Sequence, residues 1–135
     1  MERMKIKILI TGGRDFTDNE FIDLILNKYY VDYNEEISLV LGGASGADTL
    51  AACWAEHNKV DHQIIYAKWK KYGRYMAGRI RNKEMADTKP DFAIAFPGGN
   101  GTANMKSICN ERNIIVIEPE YHTDLDISDN RYIEM

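Results

Sequence analysis

The sequence predicts an α/β fold: a Rossmann-like three-layer sandwich with a mainly parallel five-stranded sheet. Two observations predict it. Five short apolar runs recur along the 135 residues, and their hydrophobicity is nearly continuous rather than alternating, as in strands that are buried on both faces. Helix-like segments separate these runs, and strands that alternate with helices form right-handed βαβ units around a parallel sheet. The length is that of a single domain.

The elements can be justified in order along the chain. The predicted strands cover 5–11, 37–42, 62–67, 91–96 and 114–118, and the predicted helices cover 18–32, 46–58, 74–88 and 102–112. Asp18 is placed to cap the first helix, because its carboxylate can accept from a free N–H group of the first turn. Ser45 and Asp48 have the spacing of a capping box for the second helix. Pro90 ends the third helix pattern, because the residue before a proline avoids the helical conformation.

The bulk composition excludes several classes of protein. No apolar stretch approaches the roughly 20 residues that a membrane span requires, and the first residues resemble a strand rather than a signal peptide. We therefore expect a cytoplasmic protein without a membrane partner. Neither the two cysteines nor the three histidines have the spacing of a metal site, so no metal and no cofactor are expected. Cys53 and Cys109 lie in helix-like segments, where we expect small buried side chains.

Charge is distributed unevenly in a chain whose net charge is −4. Residues 119–135 are predicted to be an acidic C-terminal extension of the domain that spans 1–118. A basic stretch without any acidic residue contains Lys68, Lys70, Lys71, Arg74, Arg79, Arg81 and Lys83. A local positive patch in an acidic protein suits a compact anionic ligand better than a long polyanion. The lysines are interpreted as a solvated rim, and the neighbouring Trp69 and Tyr72 either stack on a base or pack the loop against the core.

Glycine-rich loops follow three of the five predicted strands. They are TGGRD (11–15), GGASGAD (42–48) and PGGNGT (97–102). Glycine lets the backbone approach a ligand closely, and the N-terminus of a following helix supplies free N–H donors that suit a phosphate. Three such loops at one sheet edge indicate a ligand site beyond the carboxyl ends of the strands. The P-loop pattern and the dinucleotide fingerprint are both absent from the sequence.

Four ordered motifs resemble a known family. The segments ITGGRDF, GGASGAD, WKKYGRYMAGRIRNKEM and PDFAIAFPGGNGT are similar to those of the SLOG superfamily, in particular its YspA-like branch, over residues 5 to about 118. That superfamily includes the lonely-guy phosphoribohydrolases and the DNA-processing protein DprA. The resemblance implies a SLOG-like Rossmann domain, a nucleotide or nucleotide-derived ligand and a homodimer.

The resemblance also assigns roles to particular residues. In lonely-guy enzymes the motif is PGGxGTxxE, and an upstream arginine acts with its glutamate; PGGNGT matches the phosphate-cradling half and Arg81 resembles the arginine. The glutamate position is occupied by Met105, which cannot transfer a proton. The catalytic candidates are Arg81 and Asp15, and other possible carboxylates are Asp48, Glu84 and Asp87. The expected ligand-binding residues are Gly12, Gly13, Arg14, Gly43, Ser45, Arg81, Asn82, Gly98, Gly99, Gly101 and Thr102.

Three functions are consistent with this pattern. The leading interpretation is a protein that binds a nucleotide-derived small molecule as a sensor, sequestering protein or regulatory module. The first alternative is a hydrolase of N-glycosidic or phosphate-ester bonds that uses a carboxylate from a non-standard position. The second is single-stranded nucleic-acid binding, because GGASGAD also resembles a glycine-rich segment of DprA. Negative net charge and the lack of a clustered aromatic platform disfavour the last.

Overall fold

Strands and helices alternate strictly along residues 5–121, the part of the chain that the computed structural model describes. The strands are β1 (Ile6–Thr11), β2 (Ile37–Leu41), β3 (Asp61–Ile64), β4 (Phe92–Ala95) and β5 (Val116–Ile117). The helices are α1 (Asn19–Asp32), α2 (Ala47–His57), α3 (Trp69–Asp87) and α4 (Asn100–Glu111).

The five strands form one parallel sheet in the order β3-β2-β1-β4-β5. Ile8 of β1 is in register with Leu39 of β2 on one side and with Phe92 of β4 on the other. Helices α1 and α2 contact each other on one face of the sheet, and α3 and α4 do so on the opposite face. This arrangement confirms the predicted Rossmann-like sandwich, and its strand order reverses between β1 and β4.

Burial on both faces explains why the apolar runs are continuous. Along β1, Ile8 and Ile10 belong to the large core cluster that includes α1 and α2, whereas Leu9 belongs to the smaller cluster under α3 and α4. The large cluster contains the five buried aromatic side chains of residues 5–121, and within it the ring centroids of Phe21 and Phe96 lie 6.0 Å apart. Each fully buried side chain of this size contributes roughly 1.5–3 kcal/mol to the free energy of unfolding.

Two element boundaries differ from the predicted ones by three residues or more. The third strand ends at Ile64 rather than at 67, because Ile64 pairs with Leu41, the last residue of β2. The third helix begins at Trp69 rather than at 74. Gly73 interrupts it with a φ of 80° and a ψ of 178°, so α3 consists of two helical segments joined at a kink.

The predicted caps have different outcomes. Asp18 caps α1 as predicted, because its Oδ1 accepts from the N–H of Phe21 at 3.0 Å. The predicted capping box of α2 is wrong: Gly46 occupies the N-cap position, and no side chain caps this helix. The Ser45 hydroxyl instead donates to the Arg14 carbonyl, so it ties two loops together.

The two cysteines differ in exposure, and most of the predicted acidic extension lies outside the described residues. Cys109 is buried as predicted, but Cys53 is exposed, because it faces away from the sheet on α2. His122 and residues 122–135 of the acidic extension lie outside the described residues. Within residues 5–121, no helix combines the length and apolar character needed to cross a membrane.

Candidate functional site

A cleft of about 480 Å³ lies beyond the carboxyl ends of β1 and β4, between their loops and helices α3 and α4. Ligands of open α/β sheets bind where the strand order reverses, because the loops that leave the two strands diverge there. The expected site residues that line the cleft are Gly12, Gly13, Arg14, Asp15, Arg81, Asn82, Gly99, Gly101, Thr102 and Met105. The expected residues that do not line it are Gly43, Ser45 and Gly98.

Several loop glycines allow the loops to pack closely against one another. A β-carbon at Gly46, whose φ is 77°, would overlap the carbonyl oxygens of Gly13 and Arg14. A β-carbon at Gly98 would overlap the Thr102 hydroxyl and lie 2.7 Å from the Gly13 nitrogen. These glycines are therefore needed for close approach of backbone to backbone, and they set the cleft walls without facing its interior.

Two other glycines leave open space. A β-carbon at Gly99 or at Gly101 would have no neighbour within 4 Å, and both residues line the cleft. Gly99 is the N-cap of α4, where no side chain caps the helix, and the first intrahelical bond runs from the Ala103 N–H to the Gly99 carbonyl. The first-turn N–H groups of α4 therefore point toward accessible space with the positive end of the helix dipole behind them.

The N-terminus of α2 is occupied. The Ala47 N–H donates to the Gly13 carbonyl at 3.1 Å, and the buried Asp48 carboxylate occupies its first turn. A negative charge already sits where an anion would bind, so α4 rather than α2 offers the anion site of this sheet edge.

Arginines give the cleft a positive surface. Four arginines and two aspartates line it, in a protein whose overall charge is negative. The Arg14 guanidinium lies 5.3 Å from the centre of the Trp69 ring, so Trp69 borders the cleft beside a cation instead of packing into the core. The remaining arginines that line the cleft are Arg74, Arg79 and Arg81.

Sequence reasoning missed some of the lining residues. The sequence places Arg74 and Arg79 in a basic stretch but does not assign them to the site, although both line the cleft. Three further lining residues lie outside the predicted site: Tyr75, Gly78 and Asn104. A signal was available in the helical spacing. Arg74, Gly78 and Arg81 are four and three residues apart, which places them on one face of α3. None of the lysines of the basic stretch, Lys68, Lys70, Lys71 and Lys83, lines the cleft.

Arg81 and Asn82 connect the loop after β2 with the start of α4. The Arg81 Nη1 donates to the Gly42 carbonyl, and its Nε donates to Asn82 Oδ1 at 3.0 Å. Asn82 is buried and donates in turn to the Gly101 carbonyl at 3.3 Å and to Asn104 Oδ1 at 3.0 Å. Burial lowers the pKa of the Arg81 guanidinium, although such a group keeps its charge at neutral pH. The pair thus fixes the start of α4 relative to the end of β2.

Met105 forms part of the cleft floor. Its side chain is 1% exposed and packs in the apolar cluster with Leu9, Met85 and Ala93, while the residue also lines the cleft. The position at which the resemblance implies a catalytic glutamate is thus filled by a core thioether. Any carboxylate of the cleft comes from elsewhere, and the lining includes Asp15, which is exposed, and Asp48.

Comparisons with known proteins agree with the fold. Residues 6–72 match a sequence model of the YspA, cpYpsA-related SLOG family. The Gene 61 protein of Mycobacterium phage D29 is 32% identical over 120 residues, which cover 82% of this chain and 94% of that protein. The structure of DNA processing protein A (DprA) from Streptococcus pneumoniae superposes with a TM-score of 0.71 at 14% identity. That match covers 96% of this chain and 55% of the DprA chain, and it concerns the fold alone.

Proposed function

This chain belongs to the YspA, cpYpsA-related SLOG family, and from that premise we propose that it binds a nucleotide or nucleotide-derived small molecule. The phosphate of this ligand binds at the N-terminus of α4, and the protein acts as a sensor, a sequestering protein or a regulatory module.

One observation carries the proposal: the uncapped start of α4 opens into a cleft rich in arginine. Gly99 and Gly101 leave their β-carbon positions empty, so a phosphate can reach the first-turn N–H groups of α4. Arginine side chains along α3 supply forked donors that match phosphate oxygens. Both features favour a negatively charged ligand, and both line the same cleft.

The size and lining of the cleft also support a nucleotide-sized ligand. A volume of about 480 Å³ falls within the range of roughly 300–1,000 Å³ that small-molecule sites occupy. Trp69 and Tyr75 line the cleft on either side of the kink in α3, and both are exposed. Their rings offer an apolar surface on which a base could stack.

A Gly99→Val variant tests the proposal. The added side chain enters open space in the apo protein, so the fold should persist, whereas the phosphate path to α4 is blocked. Ala103→Val is the matched control, because Ala103 is exposed on the same helix and does not line the cleft. Calorimetric titration with nucleoside mono- and diphosphates and ADP-ribose should show binding to wild type and to Ala103→Val only. Equal affinities for both folded variants contradict the proposal.

The presence of two aspartates in the cleft favours a second candidate function. Asp15 and Asp48 both line it together with Arg81, so a hydrolase could draw its carboxylate from either one. Chromatography of the same nucleotide panel after long incubation separates the two functions. We expect no release of base or ribose phosphate, and saturable release would favour the hydrolase.

Nucleic-acid binding is the remaining alternative, and it rests on a shared fold. A protein that neutralises the phosphates of an oligonucleotide releases their counterions, so its affinity for the oligonucleotide falls steeply as the salt concentration rises. Weak binding of a single-stranded oligonucleotide at physiological salt agrees with the small-molecule proposal. Tight, steeply salt-dependent binding would replace that proposal with a nucleic-acid function.

A further inference from the structure

Asn104 presents an unused donor group in the cleft. The residue lies on α4, lines the cleft and is half-buried. Its Oδ1 accepts from Asn82 Nδ2 at 3.0 Å, whereas its own Nδ2 has no hydrogen-bond partner among residues 5–121. Of the buried and half-buried residues in that range, only Asp48 has an unpaired side-chain polar atom that is closed to solvent. Asn104 Nδ2 is therefore open to solvent, and a ligand group can reach it.

The orientation of this amide is fixed by its neighbours. Arg81 Nε can only donate, so the Asn82 atom that lies 3.0 Å from it is the oxygen Oδ1. The Gly101 carbonyl can only accept, so the Asn82 atom that lies 3.3 Å from it is the nitrogen Nδ2. Because Asn82 Nδ2 also donates to Asn104, the Asn104 atom that faces it is the oxygen. The two N–H groups of Asn104 are consequently the end of the amide that is left for the cleft.

The same hydrogen bonds keep Asn104 next to the anion site of α4. Asn82 is buried, and its Nδ2 contacts both the Gly101 carbonyl in the first turn of α4 and the Asn104 amide. Side chains of a helix lean toward its N-terminus, so the Asn104 amide leans toward that turn. Gly101 also lines the cleft, and the space that a β-carbon would fill there is empty. A donor that is already oriented costs less conformational entropy when a ligand binds.

We propose that Asn104 donates a hydrogen bond through Nδ2 to a phosphate or sugar oxygen of the ligand. This inference rests on the nucleotide-binding function proposed above, to which it adds a contact residue. The bound group has to be an acceptor, because an amide nitrogen only donates. Phosphate and sugar oxygens both accept, and every nucleotide carries them at adjacent positions. Asn104 therefore joins the α4 N–H groups and the arginines as a donor to the phosphorylated end of the ligand.

A purely structural role for Asn104 predicts a different order of mutant affinities. An aspartate at this position still accepts from Asn82 Nδ2, but it faces the ligand with an oxygen instead of N–H groups. An alanine removes both the acceptor for Asn82 and the donor for the ligand. A structural role thus makes Asn104→Ala the more harmful change. The proposed contact makes Asn104→Asp the more harmful one, because it sets a negative oxygen against an acceptor oxygen of the ligand.

Calorimetric titration with nucleoside mono- and diphosphates and ADP-ribose compares these variants. Asn104→Ala should weaken binding about two- to tenfold, the loss typical of one hydrogen bond. Asn104→Asp should weaken it by about a further tenfold or more and melt at nearly the wild-type temperature. Asn110→Asp is the matched control, because Asn110 is exposed on the same helix and does not line the cleft. It adds the same charge and should keep the wild-type affinity.

Nuclear magnetic resonance locates the acceptor on the ligand. In the isotope-labelled protein the side-chain amide of Asn104 gives its own pair of signals, which Asn104→Asp lacks. Ribose 5-phosphate and a nucleotide should both shift this pair, while the Asn110 pair stays in place. A shift with the nucleotide alone would assign the acceptor to the base and overturn the proposal. Triple-resonance assignment of the wild type keeps this measurement decisive if the variants do not fold.

Each calorimetric outcome decides the inference. Equal affinities of wild type, Asn104→Ala and Asn104→Asp overturn the contact of Asn104 and leave nucleotide binding intact. A loss in Asn104→Ala without a loss in Asn104→Asp shows a structural role and likewise overturns the contact. A loss in Asn104→Asp alone shows that the added charge, not the missing donor, weakens binding, and overturns it too. A wild type that binds none of these nucleotides overturns both proposals.

Discussion

Arg81 combines a structural and a ligand-facing role in one side chain. Two of its donors hold Gly42 and Asn82, while the residue still lines the cleft. Arg81→Ala should weaken nucleotide binding by about 1.5–3 kcal/mol, the range for charge-assisted hydrogen bonds, or about 10- to 150-fold in the dissociation constant. Arg81→Lys should restore part of this loss, because lysine lacks the planar fork.

Titration calorimetry and thermal melting together check the roles of Arg81. Lys83→Ala is the control, because Lys83 is exposed on the same helix and does not line the cleft. A lower melting temperature with unchanged affinity in Arg81→Ala would assign the residue a purely structural role and contradict the expected ligand contact.

Met105 occupies the position at which the resemblance implies a catalytic glutamate, and its thioether cannot transfer a proton. Met105→Glu would put a carboxylate into the cluster that contains Leu9 and Met85. Desolvation there should raise the pKa of the new glutamate above about 4.3. Because the folded state then retains a proton that the unfolded state loses, stability should fall as pH rises from about 4 toward neutrality.

Thermal melting at several pH values tests this prediction for Met105→Glu. Ser107→Glu, exposed on the same helix, should show little change. A pH-independent melting temperature for Met105→Glu would mean that the side chain reaches solvent in the cleft. Release of base by this variant and not by wild type would then show that the scaffold lacks only the acid.

At the scale of elements, the glycines of the loops divide into those that permit packing and those that permit access. Gly46→Ala forces a β-carbon onto the Gly13 carbonyl at a φ of 77°, so it should lower the free energy of unfolding by about 1–3 kcal/mol or more. Gly101→Ala places a methyl group in open space within α4 and should raise it by up to about 1 kcal/mol. Urea denaturation measures both; equal effects of the two substitutions would contradict this division.

The sequence was informative where local patterns decide the structure. The continuous apolar runs predicted every strand, since burial on both faces leaves no alternation. The kink at Gly73 was missed, because the third helix was predicted to begin at 74, which placed the glycine and the turn before it outside the helix. The sequence does not predict the open space at Gly99. It also does not predict that Asp48 Oδ1 is buried without a hydrogen-bond partner among the described residues. Both depend on how three loops pack together, and the S-x-x-D spacing at 45–48 instead predicted a capping box that does not form.

At the scale of the whole molecule, the two faces of the sheet differ in kind. The face under α1 and α2 contains the larger cluster and its five buried aromatic side chains, whereas the face under α3 and α4 contains small or flexible side chains such as Ala93, Met105 and Cys109. The cleft is lined by residues of this second layer. The larger buried cluster therefore lies on one face of the sheet, and the helices that line the cleft lie on the other.

The same layer leads to the prediction of a homodimer. The N-terminal part of α3, on both sides of its kink, exposes Trp69, Tyr75 and Met76, the last at 52%. Exposed apolar groups of this kind commonly mark contacts between proteins. We expect light scattering at tens of micromolar protein to give a dimer mass, and Met76→Glu to give a monomer, because charged residues are depleted in interface cores. Val31→Glu is the control, since Val31 is exposed on α1 in the opposite layer. A monomer mass for wild type would contradict the dimer, and a dimer that survives Met76→Glu would place its interface elsewhere.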